Sequence, residues 1–233
     1  MAYKNISSAE ELLEVIKQIG FMPLLPCAVP GFSVEEMVDD ECRYHVFDDG
    51  GWDWPMWKWK GPIVELGEVT YGKFFGGKAG YVSMDWWRCF SSYRRHAAPA
   101  LSQDSIEMMI LDNLRLLGSA ITKDLRQACG FNGKNMRSKF DSYVTRLEMQ
   151  CRIVTENFVY PHDMHGREYG WGWSLLTTPE RLFSQDYCLN PTDNNGQEQS
   201  ADELLEMMLR HLSRQLPAAS EKQLLRLLSY NSK

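Results

Sequence analysis

The stretch Gly72-Lys-Phe-Phe-Gly-Gly77-Lys78-Ala79 comes within one residue of the phosphate-cradling pattern G-x-x-x-x-G-K-[ST]. Ala79 stands where a hydroxyl would hold magnesium, and Phe74-Phe75 suit a strand rather than an open loop. A β-hairpin turning at Gly76-Gly77 accounts for the segment better. His162-Asp-Met-His165 offers two imidazoles in a polar turn without a nearby third ligand, so solvated loop histidines are expected there and no metal site. Asp48, Asp49, Asp53, Glu65 and Glu68 cluster around a run of tryptophans, where apolar surroundings could raise a carboxyl pKa for acid–base work. The sequence pairs no two of them, so solvated loop charges are the expectation. No Ser-His-Asp or Cys-His arrangement and no cofactor motif stands beside them.

Four indoles lie within eight residues at Trp52, Trp54, Trp57 and Trp59. Exposed, they could stack on bases. Buried, they would supply the core of a domain poor in aliphatics, packed with Phe74, Phe75, Trp86 and Trp87. The second reading is the expectation. Trp171 and Trp173, two apart, are expected on one side of a strand and buried against the same body.

A third chemistry-bearing set is basic. At 100° per residue, Lys134, Arg137, Ser138, Asp141 and Thr145 share the face opposite the apolar stripe of a helix running to about Gln150. With Arg167 on a later turn and Arg94-Arg95 at another helix end, these groups could meet phosphates. Asp141 opposes that use. The net charge of −6 excludes a global field that gathers nucleic acid, so any such binding must be local.

The elements that must position these residues are legible in outline. Ser7 and Glu10 make a capping box before a stripe of Leu12, Leu13, Ile16 and Ile19. Phe21 to Phe32 reads as an irregular loop, and Ser33 opens a short helix. Tyr44 to Tyr81 reads as strands punctuated by glycines, and Asp85 to Arg95 as a helix. From Ser105 the order is helix, helix, helix, extended run (Ile153 to Tyr160), turn, extended run (Tyr169 to Leu176). That is the order of a winged helix-turn-helix. Pro179 starts a further short helix. Two amphipathic helices split by Pro217 close the chain, the second after a Ser220-x-x-Gln223 cap, and must dock on the body or on a partner.

The expected class is α+β, a winged-helix unit packed against a Trp-rich N-terminal α+β domain. The divisions are residues 1–100, 101–183, a linker over 184–200 and a helical tail over 201–233. Six dispersed cysteines without a C-x-x-C pair, no signal-peptide pattern and no membrane-length apolar run predict a reduced cytoplasmic protein.

The pattern Gly-Lys-Phe-Phe…Lys-Ala-Gly-Tyr-Val-Ser-x-x-Trp-Trp…Tyr-Arg-Arg from Gly72 to Arg95 resembles the bacterial AlkZ-related proteins. So does Leu147-Glu-Met-Gln…Tyr169-Gly-Trp-Gly-Trp…Thr178-Pro-Glu180. These are distant relatives of the AlkZ/YcaQ-type DNA glycosylases, so the resemblance implies a fold built from winged helices and associated with DNA. It also implies a place for the glycosylases' Gln-x-Asp or Gln-x-Gln motif, which activates water to release an alkylated base. The matching segment, Gly20 to Leu25, puts Pro23 and Leu25 at those two positions, and neither can activate water. The reading is a non-catalytic winged-helix protein of glycosylase ancestry that binds double-stranded DNA through Lys134, Arg137, Ser138, Arg167, Arg94 and Arg95. The alternatives are an active alkyl-base glycosylase using another carboxylate such as Asp53, and a protein-interaction module built on the tail.

Overall fold

A computed structural model describes residues 5–48, 50–133, 135–162, 164–166 and 170–230. Lys134, Arg167 and Asp49, named above, lie outside the described residues. The fold mixes helices with one six-stranded antiparallel sheet of order β1-β5-β4-β7-β8-β6, and a two-stranded ribbon stands apart from it.

The first helix, α1 (Ala9–Ile19), buries Leu12, Leu13, Ile16 and Ile19 as its stripe dictates. Its cap is one residue later than the Ser7–Glu10 reading. Ser8 Oγ accepts from Glu11 N–H, and the Glu11 carboxylate takes both donors of Ser7. The expected loop after it begins as a strand, β1 (Phe21–Pro23), paired with β5 (Lys78–Ser83) at the sheet edge, where Pro23 forfeits no ladder bond inside the sheet. Gly80 permits this approach, since a Cβ there would stand 2.5 Å from Met22 O. After α2 (Val34–Met37), capped by Ser33, come the ribbon strands β2 (His45–Val46) and β3 (Trp52–Asp53).

The tryptophan run then departs from expectation. Past Trp52 in β3 it forms two short helices rather than further strands, α3 (Pro55–Lys58) and α4 (Lys60–Glu65). Pro55 fixes a helical φ at the first position of α3, and the i,i+3 spacing lets Trp54 stack on Trp57, ring centres 4.7 Å apart. The hairpin of β4 (Val69–Phe75) and β5 is as read. Gly76 and Gly77 both have positive φ, as a two-residue type I′ turn requires.

The helix α5 (Met84–Ala97) lies over this hairpin. Beyond it run α6 (Ile106–Leu117), β6 (Ser119–Ile121), α7 (Thr122–Ala128), α8 (Arg137–Met149), β7 (Val154–Val159) and β8 (Trp173–Thr177). The three-residue β6 was not foreseen; it pairs with β8, which lies between β6 and β7. Tyr71 of β4 pairs with Thr155 of β7, so one sheet runs through both halves of the chain. After α9 (Pro179–Leu182), α10 (Ala201–Gln215) packs against α5 and α11 (Glu221–Leu228) packs against α10.

Two apolar clusters result. The larger gathers α1, the β1-β5-β4 strands, α5 and the tail helices. The smaller joins α6, α7 and α8 through Leu114, Leu125, Phe140, Val144 and Leu147. The aromatic heart of the first is Phe21, Phe74, Phe75, Trp87 and Phe90, not the tryptophan run. Trp54, Trp57 and Trp59 lean on it from outside, and Trp52 is 47 % exposed. Trp171 and Trp173, expected to be buried, are exposed too.

Candidate functional site

The helix α8 presents one face to the second core through Phe140, Val144 and Leu147 and turns another toward β4. Between them, and closed by α7 and β8, is a cleft of about 420 Å³. Four cations line it: Lys73 from β4, Lys123 and Arg126 from α7, and Arg137 from α8. Two acids share it, Asp141 and Glu148, and Trp173 forms part of its wall. Such a concentration of cations is local in a chain of net charge −6. Arg137 is 79 % exposed and only loosely paired with Asp141 at 3.8 Å. Among the described residues no ion pair engages Lys123 or Arg126, so their charge stays available.

The floor of the cleft is Glu148, 2 % exposed. The register of β4 against β5 shifts between Gly72 and Phe75, and within that irregularity Lys73 N–H donates to Glu148 Oε1 at 3.2 Å. Lys73 Nζ donates to Thr145 Oγ1 at 3.3 Å and pairs with Glu148 Oε2 at 3.4 Å. Burial raises the Glu148 pKa above the usual carboxyl range, and the adjacent Lys73 opposes that rise. The arrangement docks α8 on β4, with both carboxylate oxygens turned to Lys73. It also covers the second half of the α8 polar face: Thr145 is engaged, and only the Arg137–Asp141 stretch stands clear.

Of the phosphate contacts expected from sequence, Arg137 and exposed Ser138 lie at this cleft or its mouth. Lys134 and Arg167 lie outside the described residues. Arg94 is a correction. It is fully buried, donating Nη2 to Phe74 O (3.0 Å) and Nη1 to Met149 O (3.1 Å), with its guanidinium 4.5 Å from the Phe90 ring centre. Burial lowers its pKa to about 10, which leaves it charged at neutral pH. Arg95 is likewise occupied, donating twice to Cys151 O and pairing with Glu180 at 2.7 Å. Both satisfy carbonyls at and beyond the end of α8, which a helix terminus leaves without partners. Arg94 is sealed from solvent, and Arg95 spends its donors on Cys151 and Glu180. Sequence reasoning missed Lys73, Lys123, Arg126 and Glu148. Lys123 and Arg126 are three apart on α7 and Glu148 follows Asp141 by seven on α8, but only the tertiary fold brings α7, α8 and Lys73 of β4 together.

The carboxylates near the tryptophans also resolve. Asp53 is paired with Lys58 at 2.6 Å and accepts from Trp54 N–H, and Lys58 chiefly holds its pKa below the usual value. Glu65 accepts from Asn157, and Glu68 pairs with Lys17. The unusual ionisable group there is Lys60, 1 % exposed. Its ammonium lies over the Trp57 ring (3.9 Å) and the Phe158 ring (4.6 Å) and donates to Trp171 O, and burial lowers its pKa to about 7. Pro23 is buried on β1 and Leu25 follows it, so the segment aligned with the glycosylase motif offers no polar side chain at those two positions. Among the described residues no three His, Cys, Asp or Glu side chains gather as a metal site, and no helix is long and apolar enough to cross a membrane.

The family model described as AlkZ related matches residues 6–229, and the chain belongs to that family. No curated protein and no solved structure matches it.

Proposed function

We propose that this member of the AlkZ-related family is a non-catalytic DNA-binding protein of glycosylase ancestry that holds phosphates in the cleft between β4, α7 and α8. The order α6-β6-α7-α8-β7-β8, with β8 between β6 and β7, supports reading residues 106–177 as a winged helix-turn-helix with α8 as its third helix. The observation that carries the reading is the set Lys73, Lys123, Arg126 and Arg137 around one cleft, three of them on the two helices such a unit turns toward DNA. The absence of a Gln-x-Asp pair at Pro23–Leu25 supports the non-catalytic part. Free cysteines throughout fit residence in the reducing cytoplasm. The tail helices bury Leu204, Met208, Leu212, Leu224, Leu227 and Leu228 in the chain's own core, which favours DNA binding over an interaction module built on that face.

The test is the affinity for a 20-base-pair duplex as a function of salt. Three to four phosphate contacts give a log–log slope of roughly −3. Undetectable binding at 20–50 mM salt would sink the proposal. A second reading, base release by a substitute carboxylate, is favoured by one observation only: a buried carboxyl, Glu148, lines the cleft. Free base released from alkylated duplex by the wild type, and lost in Glu148→Gln, would establish it in place of the first.

A further inference from the structure

Phosphate binding leaves one side of the cleft unused. Trp173 lines it and is 51 % exposed. Two residues earlier, Trp171 stacks on Trp52 with ring centres 4.6 Å apart and 22° between the planes, and both rings stay more than two-fifths exposed. This is not loose surface. The Trp171 carbonyl accepts from Trp57 Nε1 and from Lys60 Nζ, and Trp57 is in turn stacked on Trp54. The Trp171–Trp52 pair, fixed from beneath, is a preorganised stacking surface, and Trp173 stands two residues further along the chain at the cleft wall; exposed aromatic surface of this kind marks a binding site.

A duplex uses this surface poorly, because its bases are already stacked on one another. Nor can α8 lie fully in a major groove, since Thr145 and Glu148 are engaged by Lys73 and a Cβ at Gly77 would stand 3.3 Å from Thr145. We propose that the cleft and the tryptophan surface together bind an unpaired DNA strand, with Lys123, Arg126 and Arg137 on phosphates and Trp173 and Trp171 stacked on bases. This rests on the reading of the cleft as a DNA site and names the form of DNA it takes. Charge selects a polyanion over an apolar protein partner, and stacking tolerates any base because every base has a π-face.

Fluorescence anisotropy with a labelled 15-residue oligothymidylate and a 15-base-pair duplex, at equal salt, tests this. The strand should bind more tightly than the duplex. Trp173→Ala should weaken the strand roughly 5- to 150-fold, the scale of one lost base stack, and leave the duplex within about twofold. Trp173→Phe should recover most of that loss, which separates stacking from a packing defect. If the duplex binds as well as the strand, or Trp173→Ala alters both probes alike, the unpaired-strand inference falls and the charge reading stands. If Arg126→Ala/Arg137→Ala weakens neither probe, the charge reading itself falls. Should Trp173→Ala or Trp52→Ala dissolve a dimer in sedimentation and leave strand binding unchanged, the surface joins copies of this chain and the inference is overturned.

Discussion

Two sets of cations in this chain have opposite fates. Arg94 and Arg95, at the end of α5, are drawn inward to the carbonyls of Phe74, Met149 and Cys151. Lys123, Arg126 and Arg137, on α7 and α8, surround an open cleft. A cation's neighbours in the fold, not its neighbours in sequence, decide whether it holds the molecule together or holds a ligand. The first cluster sits where the end of α8 would otherwise leave bare carbonyls beneath α5. The second sits where two helices and a sheet strand meet solvent.

The largest effect that could break this contrast is in the buried cluster. Arg94→Ala should cost roughly 3–5 kcal/mol, because two buried carbonyls lose their donors and a cavity opens. For a chain of this size that lowers Tm by about 10 °C. Arg94→Lys should recover little, since an ammonium cannot fork to both carbonyls. A Tm within two degrees of wild type for Arg94→Ala would remove Arg94 from the structural side of the comparison.

A smaller effect comes from Lys60. Its folded pKa, about 7, lies below the unfolded value near 10.5, so between those pH values the unfolded chain binds more protons. Stability therefore rises with pH across that window, by at most about 1.4 kcal/mol per unit, and the penalty is fully present below pH 7. The Trp57 and Phe158 faces and the Trp171 carbonyl offset part of it. Lys60→Met should flatten this dependence in urea unfolding between pH 7 and 9; identical slopes would contradict the assignment.

The smallest effect is at the cleft floor. The Glu148 pKa is raised on folding, so the folded state holds the extra proton and stability declines as pH rises above the ordinary carboxyl value. Glu148→Gln keeps an acceptor for Lys73 N–H and should change stability at neutral pH by no more than about 1 kcal/mol. It should also remove that decline above the ordinary carboxyl value, read by urea unfolding across pH. A larger loss would make Glu148 a structural pillar rather than part of the proposed DNA site.

Much of the fold was legible in the residues. The Gly76-Gly77 hairpin, the Ser33 and Ser220 caps, and the stripe of α1 are local patterns that tertiary context did not override. The tryptophan run was not, because Pro55 and the 54/57 spacing favoured a helix over the strand that aromatic content suggested. The fate of Arg94 was readable but overlooked. Trp87, Phe90, Ser91 and Arg94 follow i, i+3, i+4, i+7, so the arginine lies on the buried stripe of α5. The cleft was half legible: α8 gave Arg137 and Asp141, whereas Lys73 arrives from 64 positions upstream of Arg137 and only the sheet topology brings it there.

The contrast is tested most directly by one paired measurement, DNA affinity and Tm for Arg126→Ala/Arg137→Ala against wild type. The account predicts weaker binding, a salt slope shallower by about two, and Tm unchanged within two degrees. Unaltered affinity and slope, or a lost fold with no specific loss of binding, would contradict it.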